Sequence, residues 1–483
     1  MAKEEGKQGI TVKKSQDISE WYTQVIQKAE MVEYTGVSGC MIFRPRAYAI
    51  WEKLMAFFDK EIKKTGVQNT YFPLLIPENL LKREAEHVEG FAPEVAWVTQ
   101  GGNTPLNERL AIRPTSETVM YEAFSKWIKS HRDLPLKINQ WVNVIRWEFK
   151  HPVPFLRGRE FLWQEGHTAF ANKQEAEKEV LAILELYRQV FEENLAVPVI
   201  KGRKSENEKF AGADFSTSVE TLTPSGKAVQ AATSHHLGQR FAKSFNIAYL
   251  DEKGEKQHPY QNSWGFSTRS IGAMILYHGD DKGLVIPPKV APLHVVIVPI
   301  LFDDSKARVI KKAKDIADVL RSKDISVYVD DRDHYTAGWK FNEWELKGAC
   351  IRVEIGPKDI EKKQAVAVRR DIGAKTFVPL DTLPEYLAEQ LETMQKDMFT
   401  KAKNFLTENT VHVSTWTDFV KAIKEKKLIY APWCCTAECA EKIKEKTEGA
   451  KCLTLPFELE HPVGDCVQCD KKAAAIALFA KSY

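Results

Sequence analysis

At 483 residues, with 43% hydrophobic side chains, the chain reads as a soluble globular protein of roughly two to four domains, and no apolar run reaches membrane-spanning length. A net charge of +3 is too small to argue for general nucleic-acid binding, so any RNA contact must come from local basic surface. The polar opening M-A-K-E-E-G-K-Q-G lacks the apolar stretch of a secretory leader, which predicts a cytoplasmic protein with no membrane attachment.

Residues 1–16 read as a tail and 18–32 as a first helix. A second helix is predicted over 48–64, with Ile50, Leu54, Phe57 and Ile62 on one face, and Gly66 stops it. The run N-T-Y-F-P-L-L-I-P (69–77) reads as an apolar strand closed by prolines. A third helix follows Thr115-Ser116-Glu117. Strands at 137–147 and 161–170 flank the loop H-P-V-P-F-L-R-G, so short a connection that they must run antiparallel. A long helix over 173–194 and strands at 214–221 and 228–233 complete the first region. The Pro-rich segment I-P-P-K-V-A-P (286–292) reads as a linker. After it, strands and helices alternate (H-V-V-I-V-P-I, a helix over 306–321, S-V-Y-V-D-D, C-I-R-V-E-I-G), the pattern of a small α/β domain. The divisions are 17–285, 290–400 and 405–483.

Arginines carry the chemical signal. Arg146 stands in V-I-R-W-E-F, Arg269 in S-W-G-F-S-T-R-S-I-G, and R-G-R-E-F-L-W-Q-E (157–165) lies between them. Guanidinium groups grip phosphate oxygens through forked, permanently charged hydrogen bonds. The chain has neither a G-x-x-x-x-G-K-[ST] loop nor a kinase lysine motif. A phosphate-handling site made of arginines without a glycine cradle points away from the common nucleotide folds.

These residues carry a family resemblance. R-W-E at 146–148, followed by a loop and R-E-F, resembles motif 2 of class II aminoacyl-tRNA synthetases; G-F-S-T-R resembles motif 3; the helix and strand ending F-P-L-L-I-P resemble motif 1. R-P-T-S-E (113–117), W-Q-E-G-H-T (163–168), F-A-G-A-D (210–214) and T-S-H-H-L-G-Q (233–239) resemble the prolyl-tRNA synthetases of the archaeal and eukaryotic type, across roughly 17–483. The resemblance implies a multidomain fold of mixed α+β and α/β character: an antiparallel-sheet class II catalytic domain, an α/β anticodon-binding domain and a small zinc-binding C-terminal domain. It implies a homodimer formed through motif 1, with ATP, Mg²⁺, L-proline and tRNA(Pro) as ligands.

Residue by residue, the motif 2 match puts Arg146 on the α-phosphate and the substrate carboxylate. Arg157 and Arg269 hold the β- and γ-phosphates, and Phe161 stacks on adenine with Arg269 over its other face. Glu148 takes the adenine amino group or supports Arg146, and Gln230 meets the ribose. Proline is small, apolar and a secondary amine, so its pocket needs an apolar wall and a carboxylate. The match supplies Thr115, Glu117, Trp163, Glu165, His167, Phe210 and His235, with Glu117 the first choice for the ammonium. His235 and His236 are neighbours on a strand and point to opposite faces, which argues against a metal pair. Glu94, in G-F-A-P-E, is either a loop group closing over the site or a solvated charge. The interval between motifs 2 and 3 leaves no room for an editing insert, so rejection of alanine is expected to depend on another protein.

The 290–400 segment resembles an anticodon-binding domain through D-R-D-H-Y-T-A-G-W-K-F-N-E-W-E-L-K-G and I-G-P-K-D; Lys340, Glu343, Lys347 and Arg352 are candidates there by type and place. Cys434-x₄-Cys439 and Cys466-x₂-Cys469 can supply four thiolates to a closed, structural Zn²⁺ site. Adjacent Cys434 and Cys435 leave the first ligand ambiguous; the family spacing favours Cys434. Cys40 and Cys350 read as small core residues. In the resembling type the terminal tyrosine, here Tyr483, is ordered and turned toward the active site. A threonyl-type enzyme would be expected to carry a Cys/His/His zinc site in its catalytic core, which this cysteine distribution does not offer. An inactive tRNA-sensing paralogue would be expected to have lost the motif arginines, and a zinc-stabilised RNA-binding module would not need them.

Overall fold

Period-2 strands organise the molecule around one twisted sheet of eleven strands in the computed structural model, which describes residues 9–87, 94–148, 151–457 and 464–483. In spatial order the strands are Thr410–His412, Leu428–Trp433, Ala475–Lys481, Ala450–Pro456, Ile200–Arg203, Phe215–Leu222, Ala228–Gly238, Tyr260–Ser267, Glu160–Phe170, Leu136–Ile145 and Gln68–Asn69. The neighbours are antiparallel except for the two outermost pairs. Leu136–Ile145 and Glu160–Phe170 pair antiparallel over their full length, with Gln140 opposite Glu165 and Ile138 opposite His167.

Alternation splits these strands between a core face and an open face. On the core side, Trp51, Phe58, Trp141, Tyr187, Trp264 and Phe266 form a cluster with ring centroids 5.2–6.2 Å apart. Trp264 lies opposite Gly166, where a Cβ would fall 2.2 Å from the indole ring, so only glycine admits this packing. The helix Pro45–Lys63 contributes Ile50, Leu54, Phe58 and Ile62 to the core at i+4 spacing. Phe57, expected there, is rotated to the edge and half-buried, because it is Phe58 that stands one turn beyond Leu54.

Several elements differ from their expected extents. The first helix stops at Lys28, and Val32–Tyr34 instead pairs with Met41–Phe43. Of the expected strand at 69–77 only Leu75–Pro77 pairs as an apolar strand. It joins Thr104–Ile112 and Trp97–Gly101 in a separate three-stranded sheet whose polar hairpin gave no apolar signal. The helix begun at Lys173 is α-helical to Gln189 and widens into a π turn over Val190–Asn194. The Glu193 and Asn194 carbonyls accept from Gln395 Nε2 of the helix Leu383–Glu408 at 2.9 and 3.2 Å. This clamps the π turn to the chain beyond the linker.

The α/β region has five strands in the order Val327–Val329, Val295–Pro299, Ile351–Ile355, Gln364–Arg369 and Lys375–Pro379. Its first three are parallel, and the helices Lys306–Arg321 and Ala337–Lys347 make the crossovers. Among the described residues no helix is long and apolar enough to cross a membrane.

Candidate active site

The open face of the sheet carries a cleft of about 290 Å³ floored by strands Glu160–Phe170, Ala228–Gly238 and Tyr260–Ser267. Side chains two apart on a strand share a face. Phe161, Trp163, Glu165 and His167 therefore line the cleft from one strand; Gln230 and His235, an odd five apart on another, both line it because the pairing skips Ala231 between them. Thr115 and Glu117 enter from the start of helix Glu117–Trp127, Arg146 from the strand end, Phe210 from a loop, and Arg269 from the first turn of helix Arg269–His278. Arg157 and Glu148 are exposed and lie outside this lining. Glu94 is exposed as well, and its carbonyl accepts from the Trp147 N–H at 2.9 Å.

At one end the charge is positive. The Arg146 guanidinium lies over the Phe161 and Trp163 rings, 5.7 and 5.3 Å from their centroids, and its Nε donates to the Pro114 carbonyl at 3.0 Å. Arg269 Nε donates to the Leu156 carbonyl at 3.0 Å and Nη1 to the Gln230 carbonyl at 3.3 Å, tying the loop at Leu156 to strand Ala228–Gly238. Burial, and then the nearby charges of Arg146 and Arg157, pull the Arg269 pKa down to about 10 against the opposing pull of Glu220. Cations crowded in this way lose free energy unless an anion joins them.

At the other end the charge is negative and buried. Glu165 accepts from Ser116 Oγ at 2.5 Å and Gln140 Nε2 at 2.6 Å, and lies 3.3 Å from His167 Nε2; the Tyr121 hydroxyl meets His167 Nδ1 at 3.1 Å. Burial works against the charge on Glu165, but these hydrogen bonds and the His167 charge win and hold its pKa below the usual carboxylate value. His167 is likewise buried, yet the Glu165 bond and the charges of Glu117 and Glu165 raise its pKa. Glu117 accepts from the Thr115 hydroxyl and faces the cleft. Glu117, Glu165 and His167 bring their ligating atoms within 4.8 Å of one another. Glu165 and His167 are already engaged by each other and by three neighbours, so what the set offers the cleft is negative charge for a cation such as an ammonium.

Between the ends, Phe210 stacks on His235 with centroids 4.9 Å apart. The Ser216 hydroxyl oxygen accepts from the Phe210 N–H at 2.9 Å, and His235 meets the same hydroxyl through Nδ1 at 2.7 Å. Burial first, then the Lys204 and His167 charges, lower the His235 pKa to about 3. His236 points to the far face and meets Asn262 Oδ1 at 2.9 Å. Sequence reasoning missed Lys204, Glu208 and Ser263, which line the cleft, and Ser216, which orients two of its members. K-G-R-K-S-E-N-E-K reads locally as a solvated charge run.

The family description "tRNA synthetase class II core domain (G, H, P, S and T)" matches residues 98–278, "Anticodon binding domain" matches 294–390 and "Prolyl-tRNA synthetase, C-terminal" matches 416–483. A cytoplasmic proline–tRNA ligase of Arabidopsis thaliana is 52% identical over 98% of this chain and 91% of its own length. The chain belongs to the proline–tRNA ligase family. Proline–tRNA ligase 2 of Clostridioides difficile is 51% identical over 98% of this chain and 97% of its own. The proline–tRNA ligase of Natranaerobius thermophilus is 51% identical over 94% of each. Strands of the class II core and of the C-terminal match together make up most of the eleven-stranded sheet, and the anticodon-binding match covers the five-stranded one.

Within the family's C-terminal region, the sulfurs of Cys434, Cys439, Cys466 and Cys469 lie within 4.8 Å of one another. Cys439 and Cys466 are 3.6 Å apart, and Cys434 and Cys469 3.7 Å. Tetrahedral Zn–S bonds of about 2.3 Å would space sulfurs by about 3.8 Å, so the four thiolates fit that ion. Cys435 turns its sulfur toward the Trp433 carbonyl, 3.8 Å away, and stands outside the group. Tyr483 docks on the hairpin at 223–228, its hydroxyl donating to Ser225 Oγ at 2.9 Å and its N–H to the Ala228 carbonyl at 3.2 Å, and is not among the cleft residues. The anticodon-domain candidates are internally engaged. Lys340 donates to the Asp330 carbonyl, Glu343 bonds Arg332 and Lys347, and Arg352 lies between Glu345 and Glu354.

Proposed function

We propose that the protein activates L-proline with ATP to prolyl-adenylate and transfers the prolyl group to the 3′ end of tRNA(Pro), working in the cytoplasm as a homodimer. One observation carries the reading: a single cleft with crowded guanidiniums at one end and buried carboxylates at the other. Such a cleft suits a polyphosphate meeting an amino acid. The proline ammonium belongs at Glu117, within the field of Glu165. The ring packs between Trp163 and Phe210, with His235 beside it and Thr115 and His167 closing the wall.

Attack of the proline carboxylate on the α-phosphorus brings two anions together. Arg146, tethered at Pro114, is held where that charge accumulates. Arg269, with Arg157 from the rim, takes the β- and γ-phosphates, which leave as pyrophosphate. Phe161 stacks on adenine, Gln230 meets the ribose, and Glu148 reaches the adenine amino group from the rim. In the second step a hydroxyl of the terminal tRNA ribose attacks the prolyl carbonyl and AMP departs. Mg²⁺ bound with the ATP would supply neutralising charge at the phosphates while taking few protein ligands. Zn²⁺ on Cys434, Cys439, Cys466 and Cys469 would hold the C-terminal module together without entering the reaction. The exposed Tyr71 and Leu75 of the motif 1-like segment support dimerisation there.

The test is amino-acid-dependent ATP–pyrophosphate exchange. Proline should support it above every other amino acid, and removal of one transition-state donor in Arg146→Ala or Arg269→Ala should slow it by about 10²–10³-fold. Exchange at the wild-type rate in both variants, or a preference for threonine, would refute the reading.

A further inference from the structure

We propose that the strand Ala450–Pro456 of the cysteine-bearing module holds the loop over the amino-acid end of the cleft, making Lys451 and Lys204 positioning residues for recognition of the substrate ring. This rests on the reading above that proline lies beside Phe210. The loop runs from the end of strand Ile200–Arg203 to Phe210 and places Lys204, Glu208 and Phe210 in the cleft lining.

The module reaches this loop at two points. Lys204, 4% exposed, donates through Nζ to Glu220 at 2.7 Å and to the Leu453 carbonyl at 2.6 Å. That carbonyl is available because the pairing of Ala450–Pro456 with Ala475–Lys481 skips a residue between Cys452 and Thr454. Further along, Lys451 Nζ donates to Glu208 Oε2 at 2.9 Å, from outside the cleft to a residue that lines it. The catalytic domain fixes the ends of the loop: the Lys204 N–H donates to the Ser216 carbonyl at 2.8 Å, and the Phe210 N–H to Ser216 Oγ at 2.9 Å. Between those ends the backbone N–H groups of Glu208 and Lys209 both donate to the loop's own Ser205 carbonyl. The module therefore braces the middle of a span that the core domain anchors at its ends. Phe210 is one wall of the proposed ring pocket, so its position follows from both.

The experiment uses the full chain in ATP–pyrophosphate exchange, with KM for proline, KM for ATP and kcat measured separately. Lys451→Met breaks a half-exposed ion pair and should raise the proline KM about threefold, inside the up to about fivefold that such pairs carry, with kcat and the ATP KM unchanged. Lys451→Arg should restore it. Lys204→Met removes a buried charge bonded to Glu220 and to the Leu453 carbonyl, and should raise the proline KM by roughly tenfold or more. Hydrogen exchange of the 204–210 amides should speed up in Lys451→Met while the rest of the catalytic sheet keeps its protection. Phe210→Ala separates the two layers of the argument. If it leaves the proline KM unchanged, the placement of proline is wrong and the proposal falls with it. If Phe210→Ala raises the proline KM while Lys451→Met matches wild type in both KM and exchange, the bracing role alone is overturned. Should Lys204→Met fail to fold, Lys451→Met decides.

Discussion

Gly202→Ala adds one methyl group at the junction between the catalytic sheet and the C-terminal module. The new Cβ would lie 2.4 Å from Thr454 Oγ1 and 2.5 Å from the Leu455 carbonyl oxygen. The threonine can rotate away; the carbonyl belongs to the main chain and yields only if strand Ala450–Pro456 moves. Gly202 does not occupy the left-handed region, so alanine meets its own backbone preference and in an open strand would gain about 0.5–1 kcal/mol over glycine. Against that gain stand overpacking of about 1–3 kcal/mol and two hydrogen bonds at risk, Thr454 Oγ1 to the Arg203 carbonyl and Lys204 Nζ to the Leu453 carbonyl, at about 1 kcal/mol each. The balance is about 2 kcal/mol against docking, roughly a 30-fold rise in the opening equilibrium. Native-state hydrogen exchange reads that directly at the amides of 200–203 and 453–455. Protection within twofold of wild type in both strands would refute the argument that this close approach requires glycine.

The thiolate cluster predicts that Cys434→Ser lowers bound zinc well below one ion per chain, whereas Cys435→Ser retains it, as read by metal analysis of the purified proteins. Ser216→Ala removes the hydroxyl bonded to both His235 and the Phe210 N–H, and the loss of about 1–1.5 kcal/mol should raise the proline KM by roughly five- to tenfold with the melting curve little changed. His235 and His278 are kept neutral first by burial and then by nearby cations, with pKa values of about 3 and about 4 against 6.5 when unfolded. The unfolded chain binds the extra protons, so stability is full above pH 6.5 and is lost as pH falls below it, by about 2 kcal/mol per histidine at pH 5. His278→Gln should flatten the dependence of the urea midpoint between pH 7 and 5; an unchanged slope would count against that histidine.

What the sequence made legible was chemistry set by short spacings. R-W-E, R-E-F and G-F-S-T-R, with two cysteine pairs, pointed to the cleft and to the four-sulfur group because each signal is confined to a few neighbouring positions. Trp163, Glu165 and His167 were grouped by the family match alone, and strand Glu160–Phe170 sets them on one face. What stayed hidden depends on distant partners. Lys204 and Glu208 looked like solvated charges until Leu453 and Lys451, some 250 positions downstream, were seen to bond them. Lys340 and Arg352 were offered as base readers by residue type, yet both are buried in hydrogen-bond and ion-pair contacts, and burial of a charge cannot be judged from its own sequence neighbours. The exchange of Phe57 for Phe58 is a one-position error of helical phase.

The sheet that continues from Leu428–Trp433 through to Gln68–Asn69 has a consequence for anyone shortening this protein. Ile200–Arg203 has Ala450–Pro456 as its outer neighbour, so a chain ending near residue 410 would leave that strand with a bare row of amide and carbonyl groups. Exposed rims of that sort recruit strands from other molecules. A catalytic fragment lacking the C-terminal module should therefore self-associate even with every arginine of the cleft intact.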